Sequence, residues 1–82
     1  MARRFEYQVC NVQQGHVTFS NGIWQGSAPL SEAAGLDDPF KFCQQVWDYL
    51  RLAGDDGWEL VSAVTHERTD ASYDVLYLKR EI

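Results

Sequence analysis

Alternating apolar and polar residues near the start of the chain predict a first β-strand over residues 5–12. Phe5, Tyr7 and Val9 point to one side of such a strand, and the polar residues between them point to the other. A strand with one apolar side needs a covering layer. The pattern therefore places this strand in a sheet that has a buried face.

Asn21-Gly22 predicts a tight β-hairpin in the stretch that follows. The pair tolerates the positive φ angles that a type I′ turn requires, and residues typical of strands flank it on both sides. A two-residue loop at this position places Ser20 opposite Ile23 and Phe19 opposite Trp24. The sequence therefore predicts an aromatic pair across the hairpin.

The residues after Asp38-Pro39 carry apolar side chains at helical spacing. Asp38 is a favourable N-cap, Pro39 suits the first helical position, and Gly54 suits the C′ position that follows a helix. We therefore expect one amphipathic helix from Pro39 to Ala53, after a connector over residues 27–38. Its apolar half holds Phe40, Phe42, Cys43, Val46, Trp47, Tyr49, Leu50 and Ala53.

Two apolar stretches at the end of the chain predict a second hairpin, with strands over 58–66 and 73–80 and a polar turn over 67–72. Both stretches are apolar on both faces, so we expect the strand over 58–66 at the centre of the sheet. The whole pattern predicts a single α+β domain over 1–82. In it, one amphipathic helix packs on a mostly antiparallel sheet of three core strands plus an inserted β-hairpin, in the chain order β-ββ-α-β-β.

Three segments together resemble the bacterial and phage family known as domain of unknown function 4177. They are Phe5-Glu6-Tyr7-Gln8-Val9, Gly57-Trp58-Glu59-Leu60-Val61-Ser62 and Tyr77-Leu78-Lys79-Arg80. The similarity covers the first strand and the chain from about Asp38 to Arg80, whereas the hairpin and the connector are longer than the family usually has. The resemblance implies the same fold and no particular catalytic or binding residues.

Composition narrows the class of protein. Twelve acidic and seven basic residues give a formal net charge of −5, which repels a phosphate backbone, so we expect no nucleic-acid partner. A hydrophobic fraction of 45% is typical of a folded chain. No apolar run approaches the roughly 20 residues of a membrane-spanning helix. Polar residues follow Arg3-Arg4 where a secretory leader would be apolar, so we expect a cytoplasmic protein.

The sequence contains no motif that predicts catalysis or a cofactor. Cys10 and Cys43 fall on predicted buried faces, which favours two small buried hydrophobes, with a disulfide bridge between them as the alternative. No clustered Cys and His pattern indicates a metal, and no glycine-rich phosphate loop is present. Neither histidine belongs to a signature of nucleophilic catalysis. We therefore expect no metal, no cofactor and no catalytic residue.

The apolar surplus predicts self-association. One helix covers one face of a sheet, so a second face needs cover from the inserted hairpin or from a second copy of the chain. We expect a homodimer or higher homo-oligomer, with Leu52, on the polar half of the predicted helix, as a further contact.

Three functional hypotheses follow. The first is a non-enzymatic binding or regulatory module with a protein or small-molecule partner, in which the hairpin Phe19–Trp24 forms part of the recognition surface. The alternative is a phage or bacterial protein that binds or sequesters a nucleotide-like signal in a pocket between subunits. In this hypothesis a ring such as Trp24 stacks on the base, and the phosphate is met by Arg68, Arg51 or the Arg3-Arg4 pair. An enzyme that pairs His66 or His16 with a carboxylate is a third interpretation. The candidate binding residues are Phe19, Trp24, Arg51, His66 and Arg68.

Overall fold

Five strands form one antiparallel sheet in the computed structural model, which describes residues 2–69 and 71–82. The strands are β1 (Phe5–Gln13), β2 (His16–Ser20), β3 (Ile23–Trp24), β4 (Glu59–Glu67) and β5 (Ser72–Glu81). Between β3 and β4 lie helix α1 (Leu30–Ala33), a 3₁₀ helix (Pro39–Phe42) and helix α2 (Val46–Asp55). The spatial order is β3-β2-β1-β5-β4. The predicted α+β class with an antiparallel sheet is confirmed, but the described residues form two α-helices where one was predicted.

The Asn21-Gly22 turn forms as the sequence predicts. Asn21 and Gly22 have φ angles of 50° and 80°, and Phe19 pairs with Trp24 in the predicted register. Their rings meet edge to face, with centroids 5.5 Å apart. The Asn21 side chain also accepts a hydrogen bond from the backbone of Val9 at 2.8 Å. The hairpin is thereby fixed to β1 and extends the main sheet, so it is not a separate insertion.

The predicted position of the strand over 58–66 is wrong. That segment forms β4, which pairs with β5 and lies at the edge of the sheet, whereas β1 is at the centre. All nine residues of β4 are exposed. The apolar residues on both faces therefore do not reflect burial within this chain. Strand β5, which has the same pattern, does lie between two neighbours.

The predicted helix from Pro39 is interrupted at residues 43–45. Cys43 and Gln45 have extended backbones, and α2 begins only at Val46. The reason is hydrogen bonding to a distant part of the chain: Gln44 O accepts from Val17 N, and Gly15 O accepts from Val46 N, both at 2.9 Å. A short extended pairing with the start of β2 thus replaces a helical turn.

The end of α2 also differs from the prediction. Gly54 lies inside the helix, and Gly57 has the left-handed φ of 91°. Trp58 N donates to Ala53 O at 2.9 Å and Gly57 N donates to Gly54 O at 3.0 Å. These two bonds form a Schellman motif with Gly57 at C′.

The hydrophobic core lies between α2 and one face of the sheet. Buried side chains from β1, β2 and β5 form it: Cys10, Val12, Val17, Leu76 and Leu78. Partly buried residues of α2 and the following loop pack on them, namely Val46, Tyr49, Leu50, Ala53 and Trp58. The predicted apolar half of the helix is therefore confirmed for the four of these residues that lie in α2: Val46, Tyr49, Leu50 and Ala53. Trp47 was also placed there but is 61% exposed.

Arg80 connects the loop after α2 to two strands. Its Nη1 donates to Asp56 at 3.0 Å on the backbone oxygen and 2.8 Å on the carboxylate. Its Nη2 donates to Glu6, and its guanidinium carbon lies 4.5 Å from the centre of the Trp58 ring. The position of Trp58 over the end of the core is thus supported from β5.

Among the described residues, none of the helices has the length and apolar character to cross a membrane.

Two glycine substitutions test where α2 ends. We expect Gly54→Ala to raise the free energy of unfolding by about 0.5–1 kcal/mol, because alanine loses less entropy inside a helix; a Cβ there would have no heavy atom within 4 Å. Gly57→Ala should lower it by about 1–2 kcal/mol, because the residue is left-handed. Urea denaturation measures both. A destabilising Gly54→Ala would show that the helix ends at Gly54 instead.

Candidate functional site

The side of the sheet opposite α2 carries exposed apolar side chains. We call it the open face and define it by Tyr7, Val9, Val64 and Tyr77. Val9 pairs directly with Tyr77, and strand alternation places both on the side away from the core residue Cys10. The exposed fractions of these four residues run from 36% for Val9 to 64% for Tyr7. This face therefore offers apolar contact area to a partner or ligand.

A cleft of about 410 Å³ lies at the end of the sheet near the turn between β4 and β5. Its lining comes from distant parts of the chain: β1, β2 and the second hairpin. The lining residues that bear on binding are Asn11, Gln13, Phe19, Arg68, Ser72 and Tyr73. Thr18 holds the Gln13 side chain through a hydrogen bond of 2.7 Å to Gln13 Oε1. The cleft thus combines two aromatic rings, one guanidinium and two amides.

Tyr73 joins two of the predicted binding residues at this cleft. The His66 ring stacks on Tyr73 with a centroid distance of 5.1 Å and an interplanar angle of 11°. The guanidinium carbon of Arg68 lies 5.5 Å from the Tyr73 ring centre. Tyr73 was not among the predicted site residues. Its pairing with His66 across the second hairpin could have been found by aligning the two predicted strands.

The structure brings four of the five predicted residues toward one end of the sheet. Phe19 and Arg68 line the cleft, His66 contacts its Tyr73, and Trp24 contacts its Phe19. The fifth residue, Arg51, lies on α2, with its guanidinium 3.9 Å from Asp48 and 66% of its side chain exposed. Helix α2 covers the other face of the sheet, so Arg51 does not belong to this site.

Trp24 is held by its own connector. Its Nε1 donates to Ala28 O at 2.8 Å, and a Cβ on Gly26 would lie only 2.5 Å from the ring. Because the ring is enclosed in this way, Trp24 positions Phe19 and is less available for stacking on a ligand.

A second polar cluster lies under α2. Gln8 Nε2 donates to Ser20 Oγ at 2.7 Å and to Tyr49 Oη at 2.5 Å, and Cys10 Sγ lies 3.7 Å from the same Tyr49 oxygen. Burial raises the pKa of the Cys10 thiol and of the Tyr49 phenol. Both groups therefore stay protonated at neutral pH, which opposes a nucleophilic role.

Each of the two histidines contacts a group elsewhere in the fold. His16 Nδ1 lies 2.9 Å from the carbonyl oxygen of Cys43, and the His66 ring stacks on Tyr73. Neither of these two contacts is with a carboxylate. In the part of the chain that the structure describes, no group of three or more His, Cys, Asp or Glu residues could hold a metal ion.

Comparison with known proteins adds no further identification. No family model, no curated protein and no solved structure matches the chain. The resemblance to domain of unknown function 4177 therefore stays a prediction.

Cysteine labelling tests the burial of the polar cluster. Cys10 and Cys43 are both free thiols, 0% and 6% exposed, and burial raises the pKa of each. We expect Ellman's reagent to label neither thiol in the folded protein at pH 7–8 and to label both in urea. Rapid labelling of the native protein at one thiol would contradict this arrangement, and a count below two in urea would indicate a disulfide.

Proposed function

We propose that this protein is a non-enzymatic binding module that acts as a homo-oligomer, and that the cleft beside the open face is its recognition site. One observation carries the proposal. Phe19 from the first hairpin and Arg68 and Tyr73 from the second line the same cleft, although they are far apart in the sequence. Aromatic and arginine side chains are the residues that most often dominate binding energy.

The chemistry of the lining favours a ligand with a planar ring and an anionic group. Phe19 and Tyr73 provide apolar ring surface, and Arg68 provides several N–H donors for a carboxylate or phosphate. Asn11 and Gln13 add amide groups that can fix the orientation of such a ligand. The volume of about 410 Å³ falls in the range of small-molecule sites, about 300–1,000 Å³.

These features support the second candidate function, the binding of a nucleotide-like signal. The net charge of −5 opposes the approach of a phosphate. Arg68 supplies the local positive charge that offsets this effect, and Phe19, which lines the same cleft, supplies a ring on which a base can stack. A mononucleotide is therefore the sharpest available probe of the cleft.

A titration with AMP tests the site, with adenosine as the matched neutral control. We expect AMP to shift the amide NMR signals of residues 11–13 and 68–73 and to leave those of α2 unchanged. Adenosine should bind more weakly, because it lacks the group that Arg68 contacts. Flat titrations with AMP, GMP and cyclic dinucleotides would discard the nucleotide candidate.

Two arginine variants separate the cleft from general surface charge. Arg68→Ala should weaken AMP binding by about tenfold or more, since a charge-assisted hydrogen bond contributes about 1.5–3 kcal/mol. Arg51→Ala removes the same charge from the exposed surface of α2 and should leave the affinity unchanged. Equal losses in both variants would show that binding depends on net charge and not on the cleft.

A further inference from the structure

The two edges of the sheet differ in length and exposure. Strand β3 forms one edge and has only two residues, Ile23 and Trp24. Strand β4 forms the other edge and has nine residues, all of them exposed. A very short edge strand is one of the usual protections against pairing with another chain. The β3 edge is therefore protected, whereas β4 presents a long row of backbone donors and acceptors.

The sequence of β4 favours pairing. The six residues from Leu60 to Thr65 carry no charge and no proline, and three of them, Val61, Val64 and Thr65, are of types that are enriched in strands. Three apolar side chains of this segment are open to solvent: Leu60 is 44% exposed, Val61 54% and Val64 41%. A segment with this composition at a free edge associates with other strands unless a partner occupies it.

We infer that β4 pairs antiparallel with β4 of a second copy of this chain, so that two sheets of five strands join into one continuous sheet. The inference rests on the homo-oligomeric part of the proposed function and specifies its interface. Antiparallel pairing of one edge with itself is a two-fold symmetric contact, which closes after two copies. It satisfies the free backbone groups of both edges at once.

Strand alternation and charge select the register. Residues on the open face of one copy must lie opposite open-face residues of the other, because a slip of one residue reverses the faces. A register centred on Val64 meets this condition and places Ser62 opposite His66 of the second copy. Val61 is an extra residue in β4, where the register with β5 shifts between Leu60 and Ser62. Because this extra residue shifts the pairing by one position, Glu59 lies opposite Arg68 of the second copy.

The Glu59 and Arg68 pairing supplies the charge complementarity. Both side chains are exposed, and neither forms an ion pair within 4 Å among residues 2–69 and 71–82. Two-fold symmetry gives two such contacts for each dimer. Arginine has five N–H donors, so a contact with Glu59 leaves others for an anion in the cleft. A strand from an unrelated protein would meet this charge pattern only by chance, which favours a second copy as the occupant.

Val64→Lys tests the edge as the interface. The substitution brings two lysines together at the symmetry axis, so we expect a dimeric wild type and a variant whose dimer dissociates about tenfold more readily or is lost. Ile23→Lys is the control, since it adds the same charge at the β3 edge on a residue that is 67% exposed. Analytical ultracentrifugation over a concentration series measures association, and circular dichroism checks the fold.

Charge exchange tests the register. Glu59→Arg and Arg68→Glu should each weaken the dimer by placing like charges opposite each other, and the double variant should restore it. A monomeric wild type, or equal behaviour of Val64→Lys and Ile23→Lys, would overturn the interface, and a double variant as weak as the singles would overturn the register. If the protein is a monomer that still binds AMP, the proposed interface is wrong but the proposed binding site in the cleft stands. If it is a dimer that does not bind AMP, the binding site alone is rejected.

Discussion

The structure depends on how much of the sheet α2 can cover. The helix has ten residues, which gives it a length of about 15 Å and a diameter of about 10 Å. Five strands at spacings of about 4.8 Å span roughly 19 Å, and a nine-residue strand is about 30 Å long. The side chains that form the described core accordingly come from β1, β2 and β5, and none comes from β4. The exposure of β4 is a consequence of this mismatch in size, whereas the open face exists because α2 packs on the other face of the sheet.

The two proposed sites use different parts of the uncovered surface. The cleft lies where the two hairpins approach each other, so its shape depends on the Asn21-Gly22 turn and on Trp24, which fixes the position of Phe19. The β4 edge depends only on the strand itself and on its pairing with β5. Arg68 is the residue that belongs to both, because it follows β4 directly and also contacts Tyr73. Ligand binding and self-association are therefore adjacent properties that share one residue.

Local features of the sequence were predicted more accurately than distant ones. The Asn21-Gly22 hairpin and its register are confirmed because a two-residue turn fixes them within a few residues. The start of α2 was missed because hydrogen bonds to Gly15 and Val17 stabilise an extended backbone at residues 43–45. The spacing of apolar residues along a helix carries no information about such distant hydrogen bonds.

The same limit applies to the candidate site. Phe19, His66 and Arg68 were selected for their chemistry, and the structure places them at one end of the sheet. Arg51 was selected in the same way, but strand order and helix placement put it on the other side of the molecule. Tyr73 was missed because its contact with His66 follows from the pairing of β4 with β5. Residue type thus identifies candidates, whereas the topology decides which of them meet.

The wrong prediction for β4 also has a physical meaning. A strand that is apolar on both faces normally lies in the interior of a covered sheet, and β5 meets the first part of this expectation because it lies between β1 and β4. Strand β4 has the same pattern but remains exposed along its whole length. Pairing with a second copy would place β4 inside a continuous sheet, with a neighbouring strand on each side. The apolar pattern would then fit β4 as an interior strand of the assembled sheet, whereas a single chain leaves it at the edge.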